Sequence, residues 1–297
     1  GYRSLRERPI VAFSGGRSII LDPAFYTDII TSSPLFHAVK SVDKPRALFA
    51  AFGYAFEDYA IDFLKARYSD IKGLPGEPLR PRVHGWTAAG EQFEVDAIVS
   101  EPPSLVIMEM KASWIREDTI LTDDHEDFLR ELRLKYGSIT GSEERPKGVA
   151  QLAKIAGAIA RGEWTGVAQE FSAATEIYPV LTVHDEKLAA PGLGSFLDQE
   201  FRELLGEVPG GIRVHSLIVM TISDLETLTS SQDPIDLVAF LRECSSANPE
   251  RMRSIHNFAA ITPCYAEKWS RNLRLRDAYE DLVRAARAEL FSPKEAP

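Results

Sequence analysis

Cysteine is scarce: Cys244 and Cys264 are the only two in 297 residues. Two cysteines do not make a disulfide framework, and their spacing is not that of a zinc site. The expectation is two reduced, buried thiols in a cytosolic protein. Long apolar runs are also missing. No stretch of about 18 apolar residues occurs, so no membrane-spanning helix is expected and no membrane partner. No signal peptide is visible, and the chain opens on Gly1 rather than Met, which suits a domain of a longer protein. A basic excess is absent too: 34 Lys and Arg face 44 Asp and Glu, a net charge of −10. That balance argues against a nonspecific nucleic-acid coat protein, but leaves room for a local basic groove. Carboxylates clustered around a divalent cation would push the count the same way. The six histidines form no metal-binding spacing. The Gly15-Gly16 pair lacks the Lys-Ser/Thr of a phosphate loop. Gly192-Leu193-Gly194-Ser195 lacks the closing glycine of a serine-nucleophile elbow.

What is present is an ordinary globular balance, 44% apolar and 26% charged, enough for one large core. Residues 1–45 read as an entry region. In it, PIVAFSGGRSIILD predicts two short strands about a Ser14-Gly15-Gly16 turn, and Asp22-Pro23 opens a helix through Ile30. From 46 to 68 apolar side chains recur at helical spacing, with Phe52, Phe56, Tyr59, Phe63 and Ala66 as the expected buried stripe. Three β-like segments follow: 82–87, 92–99 and 105–111. They predict an antiparallel meander whose last, almost wholly apolar strand is central. A helix is expected around Asp127 to Tyr136, and a second, small-residue helix over 147–164. EIYPVLTV (176–183) and IRVHSLIVMTI (212–222) are further strands, and amphipathic helices follow. The order helix, three-strand meander, helix, strand predicts an α/β fold as a core over 46–225, with an α-helical C-terminal extension over 226–297 packed on it.

Three ionisable residues interrupt the apolar strands: Asp96, Glu109 and Lys111. Glu109 and Lys111 are two apart, so on a strand they share a face. A hairpin through Pro102-Pro103 can bring Asp96 beside Glu109. Two buried carboxylates repel each other, and a divalent cation relieves that repulsion. Hard oxygen donors suit Mg²⁺. A lysine next to them can hold an attacking water or steady charge on a phosphate. The bland alternative is a surface ion pair on an edge strand.

This pattern, Asp96 followed after twelve residues by Glu109-Met110-Lys111, resembles the PD-(D/E)XK nuclease superfamily with its restriction-endonuclease-like core. Glu57 in GYAFEDYAIDFL matches the acidic residue often found on the preceding helix. Gln151 in GVAQLAKI matches the glutamine of the RecB-like and related branches. Val95 stands in place of the proline before the first Asp, and Ile155 where the RecB-like branch usually has tyrosine. The resemblance covers roughly residues 50 to 185.

The resemblance implies Mg²⁺ or Mn²⁺ held by Asp96, Glu109 and the Met110 carbonyl, with Glu57 directly or through water. It implies Lys111 orienting or activating water, and Gln151 positioning Lys111 or the scissile phosphate. The reaction would be hydrolysis of DNA phosphodiester bonds, with RNA also possible, by a domain or component of a larger DNA-processing or defence system. A protein partner or homodimer would fit cleavage of two strands. The alternative is a catalytically silent nuclease-like module that binds protein partners. Near the C-terminus, eight Lys/Arg against four acids over Arg251–Arg287, with Tyr265 and Trp269 interleaved, suggest either a phosphate-tracking face or a solvated helix face.

Overall fold

The computed structural model describes residues 10–14, 16–21, 38, 41–68, 78–87, 90, 92–120, 124–137, 147–165, 173–208, 210–230, 235–247, 254–269, 277, 280–281 and 283–285. The chain divides into two compact units, Gly1–Tyr54 and Ala55–Pro297. In the first, β1 (Ile10–Ala12) and β2 (Ser18–Ile20) pair antiparallel around the expected turn. Gly16, at φ +75°, supplies the left-handed conformation that turn needs. The helix expected from Asp22 to Ile30 lies outside the described residues.

Helix α1 (Pro45–Tyr68) begins in the first unit and runs into the second. Lys65 and Arg67 in its last turn suit the negative end of the helix dipole. Its buried face differs from the expected stripe. Phe56, Ala60, Ile61, Phe63, Leu64 and Tyr68 are buried. Tyr59 instead lies 42% exposed, and its hydroxyl donates to Glu226 Oε1 at 2.6 Å. Ala60 and Leu64 continue the four-residue step from Phe56, so the smaller alanine takes the inward position.

The second unit is an α/β structure built on a mixed sheet. Strands β3 (Leu79–Thr87), β4 (Gln92–Glu101) and β5 (Ser104–Lys111) form the antiparallel meander. After it come α2 (Glu117–Ile120), α3 (His125–Tyr136), α4 (Val149–Ala160) and β6 (Trp164–Thr165). Strand β7 (Glu176–Val183) then runs parallel to β5 along its whole length. The remaining elements are α5 (Leu193–Leu205), β8 (Arg213–Val214), β9 (Ile218–Thr221), α6 (Ile222–Ser230), α7 (Leu237–Ala247), α8 (Ile255–Ile261) and α9 (Pro263–Trp269). The sheet order is β6-β3-β4-β5-β7-β8, and β9 also pairs with β7. As expected, β5 is central.

Two apolar layers cover the sheet. On one face Ala97, Val106, Met108, Met110, Tyr178 and Val180 meet α1 and the C-terminal helices α6 to α9. On the other, Val95, Leu105, Ile107, Leu181 and Val183 meet α3, α4 and α5. The α7–α9 helices thus share one continuous core with the sheet rather than forming a separate lobe.

Several boundaries moved for local reasons. Helix α4 stops at Ala160 rather than 164, because Gly162 turns left-handed (φ +68°) and Trp164 joins β6 against β3. The run 212–222 splits into β8 and β9, where Asp198 Oδ1 accepts the Leu217 amide at 2.7 Å and takes it out of the ladder. Cys244 is buried but Cys264 is exposed, and neither forms a disulfide. Tyr265 and Trp269 are buried against the Phe240 ring, so neither is available to stack on bases. Of the eight Lys/Arg in the basic C-terminal segment, only Lys268 and Arg284 fall within the described residues. No described helix is long and apolar enough to cross a membrane.

Candidate functional site

The site forms where the meander comes apart. The β4–β5 ladder runs from Glu101↔Ser104 to Ala97↔Met108 and stops there. One more step would put Asp96 opposite Glu109. Instead the Met110 amide donates to Asp96 Oδ2 at 2.6 Å. The β3–β4 ladder has a gap at the same level: Pro81 pairs with Ala97 and Val83 with Val95, while Arg82 and Asp96 between them do not pair. Arg82 has φ +49°, the one described non-glycine residue in the left-handed region. Such a conformation inside a strand is disfavoured and persists only where surroundings hold it. The alternation of β4 also slips there, since Val95 and Ile98 face one core while Ala97 and Val99 face the other. A side chain released from the ladder at this level can meet the end of β5.

Glu109 is 1% exposed and Asp96 8%. Lys111 Nζ forms an ion pair with Glu109 Oε1, while Glu109 Oε2 has no hydrogen-bond partner among the described residues. Burial raises the Glu109 carboxyl to about 8; Lys111 opposes this, and Asp96 and Glu57 reinforce it. Burial likewise raises Asp96. Glu57, on α1, is half-buried and raised to about 7, by burial first and then by the charge of Asp96. These mutual effects bring Glu57, Asp96, Glu109 and Lys111 into one electrostatic group. Burial pulls Lys111 down, but Glu109 and Asp96 outweigh it and hold the amine above its ordinary value.

Gln151, in the first turn of α4, donates through Nε2 to the Glu94 carbonyl at 2.6 Å, two residues before Asp96. Its link is to β4. Gly148 precedes α4 at φ +58°, and a Cβ there would lie 2.3 Å from the Tyr136 carbonyl oxygen, so glycine alone allows this close approach. His84 is exposed, with Nε2 3.9 Å from Glu94 Oε1. His184 and Asp185, after β7, behave structurally: the His184 amide donates to the Lys111 carbonyl at 3.1 Å, and Asp185 accepts from the Ile115 and Lys187 amides.

Two features were missed in the sequence. Arg82 sits opposite Asp96 with its guanidinium paired to Asp58, and nothing in the residues around either one signals that pairing. Beside the end of β5, the His184 ring meets Trp114 (4.8 Å) and Phe56 (5.7 Å) edge-on. Only the fold joins these three.

A divalent cation suits the donor chemistry. Asp96 and Glu109 are hard oxygen donors, and a buried carboxylate oxygen without a partner is the kind of group a cation satisfies. Among the described residues, no three His, Cys, Asp or Glu side chains converge as a ready metal cluster. The fit therefore rests on the two strand carboxylates, with Glu57 within electrostatic reach. No protein-family model matches the chain, and no curated protein matches it.

Proposed function

We propose that the opened end of the β4–β5 hairpin is the centre of a divalent-cation-dependent nuclease of the PD-(D/E)XK type, hydrolysing DNA phosphodiester bonds. The observation that carries this reading is the buried Glu109, lacking a partner for one oxygen, beside Lys111 and Asp96 where two strand ladders stop. A chain gains nothing in stability from such a group, because an unsatisfied buried carboxylate is costly. The element order α1, β3–β5, α4, β7 supports the same reading.

Asp96 and Glu109 would hold Mg²⁺ or Mn²⁺ with the Met110 carbonyl, and Glu57 would complete the shell through water. The bound cation would supply Lewis acidity, steadying charge on the phosphate and on the leaving oxygen. Lys111 is held protonated by its carboxylate neighbours, so it acts as a donor to the phosphate or the attacking water rather than as a base. Glu57, with a pKa near neutrality, is the group best placed to take a proton from that water. In the reaction a water oxygen forms a bond to phosphorus and the opposite P–O bond breaks. Gln151 acts through β4, fixing the backbone next to Asp96.

A catalytically silent, protein-binding module is the second reading, favoured by the lack of a three-carboxylate cluster among the described residues. The two separate in one assay: linear and circular DNA with Mg²⁺, Mn²⁺ or EDTA, with the wild type beside Lys111→Ala. Metal-dependent cleavage that falls by at least about 100-fold in the variant is expected. No cleavage of DNA or RNA under any condition would favour the silent module.

A further inference from the structure

The opposite end of the parallel strands carries a different kind of site. A cleft of about 620 Å³ opens beside the first residues of β7 and is lined by Glu176, Arg202, Arg213, His215, Ser216 and Arg242, among others. That volume is in the range of pockets that hold small organic ligands. From Ser104 to Glu109 the strand climbs five residues, about 17 Å at the usual rise, so the cleft is separate from the carboxylate group.

Two of its guanidinium groups are held in place. Arg242 Nη2 donates to Glu176 Oε2 and to Ser104 Oγ, each at 3.2 Å. Arg202 Nε donates to Asp198 Oδ2 at 2.9 Å, and its Nη2 donates to Ser216 Oγ. Arg213 is exposed and makes no ion pair among the described residues. His215 forms part of the wall. Its ring stacks on Tyr178 at 4.1 Å, it is 9% exposed, and its Nε2 has no hydrogen-bond partner among the described residues, lying 3.7 Å from Glu176 Oε1. The lining thus holds three arginines, two of them paired with carboxylates: Arg242 with Glu176 in the lining, and Arg202 with Asp198.

This is an unusual gathering in a chain of net charge −10. Arg202 and Arg242 are each paired with a carboxylate, so the uncompensated positive charge of the cleft is that of Arg213, which an anion in the cleft would meet. Planar guanidinium forks match phosphate oxygens two by two, and arms already fixed by carboxylates lose little freedom on binding. Burial, followed by the charge of Arg213, holds His215 below the usual histidine range. It is therefore neutral at pH 7 and carries one N–H alongside the positive arms.

We propose that this cleft binds a small phosphate-bearing ligand of about nucleotide size, at a site distinct from the carboxylate notch. The proposal is independent of the nuclease reading. Its test is calorimetric titration of the whole chain, in EDTA, with pyrophosphate, with ATP and with a short single-stranded DNA oligonucleotide. The wild type is compared with Arg213→Glu and Lys111→Ala. Arg213 stands opposite Glu176 on the neighbouring strand, so the unliganded melting curve of the variant is recorded alongside and binding is compared where both proteins are folded. Binding of pyrophosphate or ATP is expected, weakened at least about 10-fold by Arg213→Glu and unaltered by Lys111→Ala. Three results would overturn the proposal: no binding of either small probe, binding that is lost in Lys111→Ala but kept in Arg213→Glu, or oligonucleotide binding through Arg213 with neither small probe bound.

Discussion

Glu109 and Glu176 lie near opposite ends of two neighbouring parallel strands, and the molecule treats them in opposite ways. Glu176 Oε2 accepts from Arg242, Ser104 and Tyr178, all at 3.2 Å. Burial works against its charge, but the hydrogen bonds from Arg242, Ser104 and Tyr178 win, and its pKa falls below the ordinary glutamate value. Glu109 has Lys111 on one oxygen and no partner on the other among the described residues, and burial wins, to about 8. Sheet and residue type are the same, but the Glu176 side chain is 23% exposed against 1% for Glu109, so depth of burial and the supply of donors together separate them. A carboxylate given three donors is settled structure, and one left half-satisfied at the end of a broken ladder is waiting for something from outside.

The contrast is broken hardest at Glu109 itself. Glu109→Gln keeps the volume but removes the charge, and metal-dependent cleavage should fall by about 1,000-fold. The same substitution should stabilise the protein in alkaline buffer. The folded carboxyl, at about 8, holds its proton longer than the unfolded one, whose value is 4.5. Between those values the folded state binds more protons, so the stability of the wild type declines as pH rises through this window. Glu109→Gln lacks that decline. Its melting temperature should equal the wild type's near pH 4 and exceed it by several degrees near pH 9, measured in EDTA by calorimetry.

Glu176→Gln should do the reverse. It removes a charge that three donors satisfy, so it should cost about 1–2 kcal/mol at pH 7 by urea unfolding. Since the folded pKa of Glu176 is lowered, its contribution is present above the unfolded value and lost on acidification, and the two curves should converge in acid. If both substitutions shift stability in the same direction at pH 9, the comparison fails.

Gly148→Ala sharpens the account of how α4 is placed. The new Cβ would strike the Tyr136 carbonyl, so α4 must shift, at about 1–3 kcal/mol in the same unfolding assay. Gln151 would move with it, and activity should fall even at temperatures where the variant is fully folded. The smallest effect is expected at Arg82→Gly. Glycine accepts φ +49° without strain, while the exposed pair with Asp58 contributes little, so the melting temperature should move by less than about 3 °C.

Much of this was legible in the sequence because it depends on local pattern. Strand 176–183 has its expected bounds, since a largely apolar run suits a strand covered on both faces. The shared face of Glu109 and Lys111 follows from the two-residue period of a strand. What stayed hidden depends on partners far along the chain. Asp198 divides the 212–222 run from another helix. Phe240 draws Tyr265 and Trp269 inward, so residues that looked like a stacking face are core. The left-handed Arg82 carries no signal in its neighbours, and the three arginines of the cleft come from α5, α7 and β8. The point where β4 leaves β5 was expected only as a hairpin bringing two carboxylates together. That the ladder stops there is a property of three strands at once.

The most direct measurement is calorimetric titration of Mn²⁺ at pH 7 into wild type and Glu109→Gln, repeated in two buffers of different ionisation enthalpy. With Glu57 near 7 and Glu109 near 8, cation binding must expel protons. The account predicts binding with release of about one proton in the wild type, and loss of both in the variant. Equal binding by the two proteins, or none by either, would contradict it.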